Sequence, residues 1–275
     1  MIRQEGVYEI NGVGLFLKKR GTGLPFLWTH GLLGSMELEE ETGVIDWPRL
    51  EAGALVLKYD VRGHGRSEAS LFPRDYRWEN LAYDLGGLID RLGIQACVLG
   101  GQSMGAVISL FLALLIPERV RGLILVTPPA LWEEGVRHGE IYEFAARVLA
   151  SEGMEKLVAM MKERHDLTDR QLIASPEITE RFVQSLVRRD PRVVSAILRG
   201  AAETGFPPRE RLKELQVPTL ILAWTEDELH PLSSAKALHG LLASSRLWIA
   251  KSRAEIHDWS RLIGDFLSQV QRGYS

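Results

Sequence analysis

The chain has 275 residues, a formal net charge of −3, 45% apolar residues and 25% charged ones. That is the ordinary balance of a soluble globular protein, and it leaves no strongly basic surface for nucleic acid or anionic lipid. The length suits one large α/β domain or a core with an insertion. The longest apolar stretch, Ala106 to Ile116, spans 11 residues and carries Ser109, which is too short for a bilayer and suits a buried helix. The first residues, Met1 to Gly6, lack the apolar run of a secretory signal. A single cysteine, Cys97, excludes an internal disulfide, and a cytoplasmic location is the expectation.

In chain order, Val7–Ile10 and Gly14–Lys18 alternate around Asn11-Gly12 and predict a hairpin. Pro25–Thr29 predicts a short strand, Met36–Thr42 a short helix, and Ala54–Tyr59 another strand. Apolar residues at 81, 85, 88, 89 and 92 predict a helix over Trp78–Leu92, stopped by Gly93. A strand at Ala96–Leu99 leads into Gly101-Gln102-Ser103-Met104-Gly105 and the helix from Ala106. A further strand follows at Gly122–Val126. From Ala130 to about Arg211 helical patterns succeed one another with no strand-like run, near 139–150, 153–163, 176–189 and 191–203. Strand and helix resume at Thr219–Ala223, Ser233–Leu242, Arg246–Ala250 and Asp258–Val270.

Strands separated by helices imply parallel pairing with right-handed crossovers. Continuously apolar strands such as Leu220-Ile221-Leu222 fit a sheet covered on both faces. Ligands of such sheets bind beyond the carboxyl ends of the strands. The chemically informative residues follow strands here too: His30-Gly31-Leu32, Asp60 to Ser67, Ser103, and Glu226-Asp227-Glu228 with His230 and Pro231. A serine flanked by glycines two residues away, with a strand before and a helix after, has the context of a nucleophile elbow.

On these motifs the chain resembles the α/β-hydrolases over nearly its whole length. The resemblance implies a mostly parallel eight-stranded sheet (residues 1–129 and 212–275) covered by helices, with an inserted helical cap over 130–211. It implies a nucleophile at Ser103, an acid at Asp227, and a histidine just past the last strand, at His257. Glu226 and Glu228 rival Asp227, one residue away on either side. The flanks of His257 (Ala254-Glu255-Ile256 before, Asp258-Trp259 after) depart from the family's glycine before and proline after. Backbone N–H groups of Leu32 and Met104 would hold an oxyanion, and their side chains would line the acyl pocket.

The resemblance further implies no cofactor and no metal, and structural roles for His30, His64 and Asp60. His138, His165, His230 and His239 read as surface residues, with His230 held in reserve because it adjoins the acid loop. Trp132, Tyr142 and Phe144 could face the substrate or pack inward. The activity implied is hydrolysis of a small or medium ester, thioester or lactone, by a monomer or homodimer that binds neither nucleic acid nor membrane. Alternatives on the same fold are C–C bond hydrolysis, elimination, perhydrolysis, or a non-catalytic small-molecule receptor. Ser103 in place of an aspartate argues against haloalkane dehalogenation.

Overall fold

In the computed structural model, residues 2–163, 175–225, 227 and 229–273 are described. Eight strands form one sheet in the order β1-β2-β4-β3-β5-β6-β7-β8. The hairpin of β1 (Ile2–Ile10) and β2 (Val13–Gly21) is antiparallel, and its turn is set by Asn11 (φ 50°) and Gly12 (φ 74°). β2 also runs antiparallel to β4 (Leu55–Tyr59). All other pairs are parallel: β3 (Pro25–Thr29) with β4 and with β5 (Cys97–Gln102), then β6 (Val120–Val126), β7 (Thr219–Trp224) and β8 (Ser245–Ala250). Every residue of β7 is buried, as its unbroken apolar sequence requires of a strand covered on both faces.

Two layers of side chains sandwich the sheet. On one face lie the helices over Trp78–Arg91 and Met104–Leu115 with Leu81, Leu85, Val107 and Leu110; on the other, Trp28, Trp47, Trp259 and Phe266 form a second cluster. Strand order advances in opposite directions from β3 and from β5, which makes these neighbours the switch point where the crevice of such a sheet opens.

The helices have legible local causes. α1 (Met36–Thr42) starts at Ser35, whose hydroxyl accepts from Leu38 N–H, and ends at Gly43 in the left-handed region (φ 64°). α2 (Trp47–Glu51) is capped by Asp46 and begins with Pro48 in its first turn. It is too short to show a period, and the sequence pattern does not predict it. α3 (Trp78–Arg91) buries the predicted stripe of Leu81, Leu85, Leu88 and Ile89. α4 (Met104–Leu115) is buried along most of its length.

Between β6 and β7 the described residues are helical: α5 (Trp132–Glu163), α6 (Pro176–Val187), α7 (Pro191–Ala202) and α8 (Arg209–Lys213). α5 is broken at Gly153 (φ 85°, ψ 179°), at the interruption that the sequence pattern places between 150 and 153. These helices share a cluster in which Leu149, Leu157, Phe182, Leu186, Ile197 and Leu198 are buried together with Leu33 and Leu38. Each such side chain contributes about 1.5–3 kcal/mol on burial, so the segment is held by its own core and is seated on the loop after β3. α9 (Leu232–Leu241), α10 (Arg253–Ile256) and α11 (Trp259–Arg272) complete the chain.

Asp60 ties the carboxyl edge together. One carboxylate oxygen accepts from Met36 N–H (2.8 Å), the first turn of α1, and the other from Arg66 N–H (2.9 Å). The side chain is buried, so its removal leaves two N–H groups without partners. Asp60→Ala should cost about 2–6 kcal/mol, at 1–3 kcal/mol for each of the two orphaned donors. Urea unfolding of the variant beside the wild type measures this.

Candidate active site

The chain leaves β5 at Gln102 and enters α4 at Met104, so one residue makes the turn. That residue is Ser103, with φ 54° and ψ −116°, a conformation that side chains normally avoid. The turn is possible because the backbone is packed without side chains around it. A Cβ on Gly105 would overlap the Thr29 carbonyl, and one on Gly101 would overlap the backbone of Gly105. Ser103 N–H donates to Val126 O at 3.0 Å, which fixes the turn to β6 and presents the hydroxyl above the sheet.

The imidazole that meets this hydroxyl is His230. Its Nε2 lies 2.9 Å from Ser103 Oγ, and its Nδ1 lies 2.8 Å from Asp227 Oδ2. Asp227 Oδ1 accepts from both Leu229 N–H and His230 N–H at 3.1 Å. Acid and imidazole therefore occupy a single turn, three residues apart, between β7 and α9. The Asp227 side chain is 2% exposed and that of His230 15%. With the carboxylate accepting from Nδ1–H, Nε2 is left to accept the serine proton. Glu226 and Glu228, the rivals of Asp227, lie outside the described residues.

His257 stands elsewhere. It is the last residue of the turn ending α10, it is exposed, and it does not line the cavity above Ser103. Ile256 and Trp259 on either side are buried in the cluster beneath the sheet, and that packing directs the residue between them outward. Of the residues expected at the site, Ser103 and Asp227 are thus bridged by the His230 imidazole, and His257 lies apart from them. The signal was present in the sequence as an aspartate and a histidine at positions i and i+3, closed by Pro231.

His30 and His64 are fixed by their partners. His30 Nε2 accepts from Val61 N–H (3.0 Å), so its Nδ1–H donates to Gly31 O (2.8 Å). His64 Nε2 accepts from Leu33 N–H (3.2 Å), and its Nδ1–H donates to Arg62 O (2.8 Å). Burial lowers both pKa values, which suits neutral rings. The two rings, 5.1 Å apart, stitch the loop after β3 to the turn after β4. Arg189, between α6 and α7, adds a third tie by donating through Nη2 to Leu33 O (2.9 Å) and Gly34 O (3.1 Å).

Within this braced loop, Leu33 N–H is taken by His64 and Gly34 N–H by Gly31 O. Leu32 N–H has no acceptor among the described residues. Met104 N–H opens α4, where intrahelical acceptors are lacking and the helix dipole favours an anion. The Leu32 side chain lines the cavity, whereas that of Met104 is fully buried in the core.

The cavity over Ser103 has a volume of about 230 Å³, with Gly31, Leu32, Asp227 and His230 on its floor. Its roof comes from the helical segment, including Tyr142, Met160, Met161 and Phe182. Of the aromatic residues singled out in the sequence, Tyr142 faces the cavity. Trp132 instead donates its indole N–H to Pro207 O (3.0 Å), and Phe144 is exposed. Among the described residues no three His, Cys, Asp or Glu side chains are grouped to hold a metal ion, and no helix is long and apolar enough to cross a membrane.

The wall also holds a residue that periodicity does not single out. Glu39 of α1 accepts from Trp28 Nε1–H at 2.6 Å through Oε2, while its buried Oε1 has no partner among the described residues. Burial pushes its pKa from an ordinary 4.5 up to about 7.

The family model for the alpha/beta hydrolase fold matches residues 25–255, and the chain belongs to this family. It is 28% identical over 264 residues to a protein of Azorhizobium caulinodans assigned as the carbamate hydrolase RutD, covering 94% of each chain. It is 28% identical to a Bacillus subtilis protein assigned as 2-succinyl-6-hydroxy-2,4-cyclohexadiene-1-carboxylate synthase, covering 87% of each. Among solved structures, a thermophilic esterase from Thermogutta terrifontis superposes with a TM-score of 0.77 at 24% identity, over 98% of this chain and 99% of that one. The family and these relatives indicate a hydrolase.

A group whose folded pKa is raised contributes stability that is complete below its unfolded value and is lost as pH rises through the folded one. For Glu39 that window runs from 4.5 to about 7. Wild-type stability should therefore fall more between pH 6 and pH 8 than that of Glu39→Gln, which keeps an acceptor for Trp28 and has no proton to lose. Urea midpoints at the two pH values test this.

Proposed function

We propose that the protein is a serine hydrolase in which Ser103, His230 and Asp227 form the catalytic triad. The observation that carries this reading is the continuous pair of contacts, 2.9 Å from Ser103 Oγ to His230 Nε2 and 2.8 Å from His230 Nδ1 to Asp227 Oδ2. An alcohol is a weak nucleophile at neutral pH and needs a base in hydrogen-bond reach. His230 accepts the hydroxyl proton as Oγ attacks the substrate carbonyl, and Asp227 stabilises the imidazolium and fixes its tautomer. The N–H groups of Leu32 and Met104 receive the oxyanion, as preorganised donors that need no reorganisation when charge develops. His230 then protonates the leaving group, and a water activated by the same ring releases the acyl group.

The bond cleaved in this reading is a carboxylic ester, thioester or lactone. The enclosed cavity supports a small or medium acyl group, with residues 130–211 acting as the cap that closes over it. No cofactor or metal enters the scheme. A buried free thiol at Cys97 suits a cytoplasmic enzyme.

The mechanism makes the two histidines separable. His230→Ala should lower kcat/KM by about 10⁴-fold or more, as loss of a triad base does, whereas His257→Ala should retain near wild-type turnover of p-nitrophenyl esters. The reverse pattern would return the base to the segment after β8. A fluorophosphonate probe should label the wild-type protein and not Ser103→Ala; labelling that survives the substitution overturns the nucleophile. Asp227→Asn should slow acyl transfer by about 10⁴-fold through loss of the correct tautomer.

A further inference from the structure

The charges around the cavity are one-sided. Its wall is largely apolar, with Leu33, Ile141, Leu157, Met160 and Phe182 among its residues. Among the described lining residues none is Lys or Arg, and the charged side chains are the carboxyl groups of Glu39 and Asp227. The imidazoles are His230, which is held between Ser103 and Asp227, and His138, whose Nδ1 lies 3.3 Å from Glu134 O.

The described cations nearby do not line this cavity. Lys58 binds Glu40 and stands over the Trp47 ring, and Lys18 reaches Glu40 as well. Arg189 points its guanidinium at the Leu33 and Gly34 carbonyls. Glu39 keeps one buried oxygen unpartnered, and the second carboxylate behind it, Asp60, raises its pKa further.

Resting on the serine-hydrolase reading, we infer that the pocket accepts an uncharged, mainly apolar acyl group and turns away substrates bearing a second carboxylate, with Glu39 setting this preference. A carboxylate brought among the described lining residues meets no Lys or Arg, so it loses its hydration and gains no counter-charge from them. Placed near Glu39 it also meets a like charge, so one of the two must take up a proton. A neutral acyl chain meets neither penalty. Discrimination then comes chiefly from the repulsive side of the balance.

Three p-nitrophenyl esters of equal reactivity separate charge from size: the hexanoate, the adipate monoester with its free terminal carboxylate, and the methyl-capped adipate. At pH 8 the hexanoate and the capped adipate should exceed the free adipate in kcat/KM by at least about tenfold, or 1.4 kcal/mol. Glu39→Gln should narrow that ratio about threefold or more. In the wild-type protein the ratio should also widen from pH 6 to pH 8, as Glu39 loses its proton in the field of Lys58 and Asp60.

Equal or better turnover of the free adipate would overturn the inference, since His138 or another group would then be holding the carboxylate. A ratio indifferent to both Glu39→Gln and pH would remove Glu39 from the assignment. Fluorophosphonate labelling run on the same preparations keeps the two levels apart. Absent labelling condemns the serine-hydrolase reading itself, whereas normal labelling with equal turnover condemns only the substrate class.

Discussion

The carboxyl edge of this sheet depends on how closely the backbone of Gly105 lies against the carbonyl of Thr29. Because no Cβ intervenes, α4 can start one residue after β5 ends and directly beside the end of β3. That approach brings Ser103, the first N–H of α4 and the loop from His30 to Gly34 into one small volume. The strained conformation of Ser103 is the local cost, of order 1–3 kcal/mol. It is offset by an apolar helix buried along most of its length. The site is therefore a property of strand and helix packing, and the loops above it only complete it.

Those loops are stabilised by polar contacts of a consistent kind. Two neutral imidazoles, one buried carboxylate and one guanidinium each bond to backbone groups of the segment from Gly31 to Met36. Left-handed Leu33 (φ 59°) sits at the centre of these ties. Arg189 belongs to the helical segment between β6 and β7, so the roof of the cavity and the loop beside the serine are joined through hydrogen bonds as well as through the apolar cluster around Leu33 and Leu38. A shift of the roof would be felt at the loop that carries Leu32.

How much of this was legible in the sequence follows from what periodicity records. Buried parallel strands announce themselves as unbroken apolar runs, so Leu123–Val126 and Thr219–Ala223 read correctly. Gly101 and Gly105 gave away the elbow because the turn has no other residue to offer. Five-residue α2 left no pattern to find. The imidazole was harder to place. His230 and His257 both follow strands and both satisfy the chain order, and the family resemblance pointed to the position past the last strand, at His257. Packing separates them in space, since Ile256 and Trp259 anchor the later segment inward and leave His257 outside the cavity. Glu39 was hidden for a different reason. It is one of four acids between 37 and 41, and only the packing of α1 against Trp28 shows which of them is enclosed.

The short turn that carries Asp227 and His230 has a geometric consequence. Where an acid and an imidazole sit on separate loops, any relative movement of those loops changes the distance between them. Here the N–H groups of Leu229 and His230 itself bind the carboxylate, so the acid is tied to the backbone that bears the ring. In the proposed triad the described residues after β8 supply no group to the reacting centre, and Ile256, Trp259, Ile263 and Phe266 among them pack against the sheet.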